Sequence, residues 1–163
     1  MNYFELFDIP VSLRVDKASL SKKYFELQKK YHPDFYTQSG EEEKSDALEK
    51  SSFINKALKT LQNPDETIKY VLQQKELLEE EEKYALPPDF LMEMLELNES
   101  VMEEEPATVR QKIDVIEAEL YAEIQPIIDN YKEGITTTGD LLKVKEYYYK
   151  KKYLQRILDR IDG

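Results

Sequence analysis

The spacing of apolar residues constrains this chain most. They recur at steps of three and four along most of its length, and strand-like alternation is nearly absent. Only four glycines occur in 163 residues. The expected fold is all-α. Prolines punctuate the pattern. Tyr3, Phe4, Leu6, Phe7 and Ile9 form a short apolar opening that Pro10 stops. Asp16 or Ser19 is then expected to cap a helix reaching about Tyr31, whose Leu20, Tyr24, Leu27 and Tyr31 fall within about 60° of one another. Pro33 ends it, because the residue before a proline is pushed out of the helical region. After the polar stretch Thr37–Lys44 a further helix is expected from near Ser45. Its inner face is Ala47, Ser51, Ile54, Leu58 and Leu61, joined by Phe53 and Ala57, and Asn63-Pro64 closes it. Two antiparallel helices with a short helix across them make a small core.

Charge divides the chain. The net charge is −11, from 34 acidic and 23 basic residues. Residues 1–64 hold ten of each sign, and so do residues 106–163. Residues 65–105 hold 14 acidic and three basic groups, which is the entire excess. Within that middle lie Glu79–Glu82 and then Pro87-Pro88, which cannot continue a helix. The expected organisation is an N-terminal block at 1–75, an acidic, proline-containing linker at 76–88, and a C-terminal block at 89–163.

Several function classes drop out early. Without cysteine there is no disulfide, thiolate metal site or cysteine nucleophile. A single histidine leaves too few ligands for a metal site, so neither metal nor cofactor is expected. The opening MNYFELFDIP lacks a basic region followed by an apolar run, so it does not read as a secretory signal. No stretch approaches the roughly 18 consecutive apolar residues of a membrane span. The acidic balance argues against a nucleic-acid partner. A cytoplasmic protein fits these features.

In the C-terminal block Asp89 is a plausible cap. The helix from Phe90 to about Glu104 has an inner face of Phe90, Met94, Leu97 and Val101. Leu91, Met92, Leu95 and Met102 lie elsewhere around it. With Met92 at 0°, Leu91, Met102 and Leu95 fall near about 260–300°, and Glu99, Glu103 and Glu96 within about 40° of Met92. An apolar stripe bordered by carboxylates suits a partner surface; it equally suits a helix buried on both sides. Pro106 fits a helix first turn. The next helix carries Val109, Ile113, Ile116, Leu120, Ile124, Ile127 and Ile128, and ends near Tyr131–Gly134, with Pro126 expected to kink or interrupt it. The last helix is expected from about Asp140 to Ile161, giving an antiparallel three-helix bundle. Lys150–Lys152 are expected to pair with the acidic helix.

The sharpest motif is His32-Pro33-Asp34. It lies at the tip of the helical hairpin, after a helix whose outer face carries Lys22, Lys23, Lys29 and Lys30. An exposed imidazole, a rigid proline and a carboxylate at a loop tip suit recognition. The plainer reading is a turn in which His32 and Asp34 cap helix ends, beside lysines that form only a solvated face. A hydrolytic site would need a nucleophile and an oxyanion hole, which nothing signals.

In combination, Tyr3-Phe4-Glu5-Leu6-Phe7, the basic helix, Tyr31-His32-Pro33-Asp34 and Ile54-Asn55-Lys56-Ala57-Leu58-Lys59-Thr60-Leu61-Gln62-Asn63-Pro64 resemble a J-domain over residues 1 to about 75. The resemblance implies docking on a DnaK- or HscA-class seventy-kilodalton chaperone and stimulation of its ATPase. It implies His32, Pro33 and Asp34 as the stimulating triad, with Lys22, Lys23, Lys29 and Lys30 as contacts to an acidic surface. A J-domain followed by an acidic three-helix block resembles an HscB-type co-chaperone of iron–sulfur cluster assembly. Phe90-Leu91-Met92-Glu93-Met94-Leu95-Glu96-Leu97 is close to that family's client-binding helix. The resemblance implies binding of an IscU-type scaffold through Leu91, Met92, Leu95, Glu96, Glu99 and Glu103, with Tyr153 at an aromatic position that is often Phe in the family. Some eukaryotic members carry a cysteine-rich zinc segment; its absence here points to a bacterial form. A J-protein with a different client, a plain helical adaptor and an enzyme stand as the rival readings.

Overall fold

The computed structural model describes all 163 residues. It is helical throughout, with seven α-helices and one 3-10 turn. They are α1 (Tyr3–Leu6), α2 (Lys17–Tyr31), the 3-10 turn (Pro33–Tyr36), α3 (Glu41–Leu61), α4 (Pro64–Gln74), α5 (Pro88–Glu103), α6 (Pro106–Asp129) and α7 (Thr138–Asp162). The chain divides into two compact units, Met1–Val71 and Leu72–Gly163.

The first unit is built on an antiparallel helical hairpin of α2 and α3. Asp16 caps α2: its carboxylate accepts the Ser19 N–H at 3.0 Å and the Ser19 hydroxyl at 2.8 Å. Those two bonds hold the Asp16 carboxyl below the usual carboxylate range. Phe4, Phe7, Leu13, Leu20, Ile54, Ala57 and Leu61 are buried, and each large side chain among them stabilises the fold by about 1.5–3 kcal/mol. Tyr3 fixes α1 in place. Its ring stacks on Tyr70 with centroids 4.4 Å apart and meets the edge of Phe53 at 5.4 Å.

Two features of this unit differ from expectation. Helix α3 starts at Glu41, one turn before Ser45, because Glu41, Glu42 and Glu43 place three negative charges on the positive end of the helix dipole. Helix α4 was not anticipated after Asn63-Pro64. Its signal is local. The Asn63 side-chain oxygen accepts the N–H groups of Asp65 and Glu66, Pro64 opens the first turn, and the buried Thr67 hydroxyl returns to the end of α3, 2.9 Å from the Asn63 carbonyl.

The second unit holds the antiparallel bundle of α5, α6 and α7. Its core gathers Phe90, Met94 and Leu97 from α5, Val109 and Ile113 from α6, and Leu154 and Ile157 from α7. These are the inward positions that the period of 3.6 selects. Ahead of the bundle, the Lys145 ammonium on α7 meets the Glu82 carboxylate at 2.7 Å, and Tyr84 stacks on Tyr149 at 4.6 Å.

Three local expectations need correction. Asp89 is not the cap of α5. Pro88 already occupies the first helical position with its φ preset, so Asp89 falls inside the turn and its carboxylate accepts the Phe90 N–H at 3.0 Å. Pro126 does not interrupt α6, which runs unbroken to Asp129. Proline there lies in the last turn, and the Asn130 N–H and side-chain amide both donate to the Pro126 carbonyl, at 3.1 and 2.8 Å. Lys150 does not pair with the acidic helix. It pairs with Glu146 on its own helix at 3.5 Å and lies over the Phe90 ring.

Candidate functional site

Two exposed surfaces carry the residues singled out in the sequence. The first is the tip after α2. His32 ends that helix in an extended conformation, and Pro33 opens the 3-10 turn. The Asp34 backbone N–H donates to His32 Nδ1 at 3.2 Å. An amide can only donate, so Nδ1 is the acceptor of this contact. The Asp34 carboxylate lies 3.6 Å from the same nitrogen. It is 83% exposed and points no hydrogen bond back into the chain. The tip is thus built as the plainer capping turn, with the Asp34 carboxylate left open to solvent.

Behind the tip, Lys22, Lys29 and Lys30 are exposed on α2. Lys23 is half-buried and lies 3.9 Å from Asp8, so it is less available than the other three. Two aromatic side chains missed in the sequence reading stand among these groups. Phe25 and Phe35 are each 64% exposed. Phe25 lies between Lys22 and Lys29 at helical spacing, off the inward face, which was a readable signal. Phe35 sets its edge against the His32 ring, with centroids 6.1 Å apart. The hairpin that carries the tip is braced by Asn55, whose side-chain oxygen accepts the Tyr24 hydroxyl at 2.9 Å and the Gln28 amide at 3.1 Å.

The second surface is the outer side of α5. Leu91, Met92 and Leu95 are exposed by 40%, 62% and 60%, and Met102 by more. Within its own unit this helix is buried on its inner side only. Glu96, Glu99 and Glu103 are exposed beside the stripe. None of the three forms an ion pair within the chain, whereas Glu104 is held by Lys112 at 2.5 Å. That bond lowers the Glu104 carboxyl below its ordinary value. Tyr153 differs from the others. It is half-buried on the fringe of the core, with its ring edge-on to Phe90 at 6.2 Å. Beside the crest, an open groove of about 520 Å³ runs between α5 and α6, lined by Leu97, Val115, Ile116, Glu93, Glu96 and Glu119 among others.

Neither surface holds a catalytic constellation, and no three metal-ligating side chains gather anywhere in the structure. No helix is long and apolar enough to cross a membrane.

Residues 86–162 match the family model described as the HSCB C-terminal oligomerisation domain. A co-chaperone protein HscB homologue from Acinetobacter baumannii is 33% identical over 162 residues, covering 99% of this chain and 89% of that protein. This chain belongs to the HscB co-chaperone family. A second HscB homologue, from Colwellia psychrerythraea, is 42% identical over 100 residues, 61% of this chain and 57% of that protein. The fold agrees with that of solved HscB structures. The crystal structure of the human co-chaperone HscB superposes with a TM-score of 0.83 at 28% identity, over 99% of this chain and 81% of the human one. HscB from Vibrio cholerae gives a TM-score of 0.75 at 25% identity, over 99% and 96%.

Proposed function

We propose that this HscB-family chain stimulates the ATPase of a HscA/DnaK-class chaperone and delivers an IscU-type scaffold to it, in support of iron–sulfur cluster transfer in a bacterial cytoplasm. The observation that carries the reading is the presence, in two units of one chain, of two solvent-facing surfaces with unlike chemistry. One is a polar tip backed by lysines. The other is an apolar crest edged with unpaired carboxylates. A chain that acts on one partner alone needs only one of them.

In this reading residues 1–75 serve as the J-domain, 76–88 as an acidic linker and 89–163 as the client-binding domain. His32, Pro33 and Asp34 engage the ATP-bound chaperone, while Lys22, Lys23, Lys29 and Lys30 act on encounter and orientation. Leu91, Met92 and Leu95 anchor the scaffold. Glu96, Glu99 and Glu103 add charge complementarity, and Tyr153 contributes only the part of its ring that remains open. Hydrolysis takes place in the chaperone, and the chain supplies no group to that chemistry. Holding both partners raises the local concentration of client at the chaperone.

The direct test is a steady-state ATPase assay of a HscA-class chaperone with this chain added. A several-fold rise in turnover is expected, and an unchanged rate rejects the reading. A rise in turnover together with no binding to an IscU-type scaffold in calorimetry assigns the chain a different client.

A further inference from the structure

The end of α2 leaves an accounting question, because each of its last carbonyls needs a donor. The Gln28 carbonyl takes the His32 N–H at 2.9 Å. The donor that would serve Lys29 is missing, since Pro33 has no N–H. The donor that would serve Lys30 is the Asp34 N–H, which has turned instead to His32 Nδ1. The Phe35 N–H goes to the His32 carbonyl at 3.0 Å, closing the 3-10 turn. The Lys30 carbonyl is therefore orphaned by the very bond that shapes the tip. It is met by the Tyr36 hydroxyl at 2.8 Å. Tyr36 is the last residue of the 3-10 turn, and its ring is half-buried.

We propose that the Tyr36 hydroxyl is a latch that ties the 3-10 turn back to α2 and so keeps His32, Pro33 and Asp34 in the shape that the chaperone engages. Tyr36 is a positioning residue, since it acts through the tip and need not touch the partner. The proposal rests on the reading of that tip as the chaperone-binding element. Its consequence is specific. Without the latch the turn samples other shapes, and apparent affinity falls in proportion to the fraction still competent. Once bound, the tip is the same as before, so the rate at saturation is retained.

The test is Tyr36→Phe in the full chain, which keeps the ring and removes only the hydroxyl. In the free protein, the Asp34 amide proton should exchange with solvent faster than in the unmodified chain, while amides inside α2 such as Tyr24 and Leu27 are unchanged. In the chaperone assay, the concentration giving half-maximal stimulation should rise about three- to ten-fold, the worth of one hydrogen bond, with the plateau unaltered. Unchanged Asp34 exchange overturns the latch, and so does faster exchange with an unchanged half-maximal concentration. A lowered plateau overturns it too, by making Tyr36 part of the engaged surface. If the unmodified chain fails to stimulate while Asp34 exchange still accelerates in the variant, the structural latch stands and the chaperone reading of the tip is what fails.

Discussion

The tip after α2 and the crest of α5 both face solvent, yet they are held in place by different means. The crest belongs to a helix whose other side supplies its order: Phe90, Met94 and Leu97 are buried in the bundle core. Its outward side chains are free of internal duties, and Glu96, Glu99 and Glu103 have no partner in the chain. The tip has less of this backing: its 3-10 turn lies against α3 but contains no buried residue. Its shape depends on a few bonds among its own atoms, namely Asp34 N–H to His32, Phe35 N–H to the His32 carbonyl, and Tyr36 to Lys30. A surface of the first kind tolerates changes in its exposed side chains without losing shape. In one of the second kind, the residues that present the surface also build it.

The largest effect should come from Asp34→Asn. The change removes the exposed charge but keeps the backbone N–H that bonds His32. Stimulated chaperone turnover is expected to fall to the unstimulated rate, while scaffold affinity measured by calorimetry stays as it was. Full stimulation by this variant contradicts the role given to the tip. Next in size, Leu91→Ala combined with Leu95→Ala should weaken scaffold binding by about 2–4 kcal/mol if both are anchors. Helix content by circular dichroism and stimulation of the chaperone alone should not change. Equal affinity for the scaffold would show that the apolar stripe is not a contact.

The smallest effect tests a group that belongs to neither surface. The Lys145 bond holds the Glu82 carboxyl below the ordinary carboxylate range, against the opposing effect of burial. A lowered folded-state value means that the stabilising contribution is complete above the unfolded value and is lost as pH falls through the folded one. Glu82→Gln should therefore cost about 1–2 kcal/mol of unfolding free energy at neutral pH. The gap between variant and unmodified chain should close once the pH drops below the folded-state value of Glu82. Urea titrations at several pH values read this directly, and both partner activities should be unaffected at neutral pH. A gap that persists in acid would assign the loss to packing rather than to the ion pair.

How much of this was legible in the sequence follows from what each feature depends on. The stripe of Leu91, Met92 and Leu95 was readable because a helix of known period fixes the direction of every side chain, and the inner face was strong enough to set the phase. What period alone left open was whether a second layer of the same unit covers the stripe, and its exposure there answers that. The tip was readable as a motif but not as a construction. The bond from Tyr36 to a carbonyl six residues earlier requires the dihedrals of the intervening 3-10 turn and the lone pair of His32 to be known first. Helix α4 was missed although Asn63-Pro64 with Asp65 and Glu66 is a start signal, because the same Asn-Pro pair also reads as a stop for α3. Pro126 was overweighted. A proline in the last turn costs the helix one N–H donor but need not end it, and Asn130, four residues on, still donates to the Pro126 carbonyl.

The central claim is that one molecule holds two partners through two separate surfaces. It is tested most directly by titrating this chain into a HscA-class chaperone with and without an IscU-type scaffold while following ATP turnover. The account predicts that the rate with both present exceeds the sum of the rates with each alone, and that Leu91→Ala with Leu95→Ala removes this excess but not the stimulation by the chain itself. Strictly additive rates for the unmodified chain would contradict it.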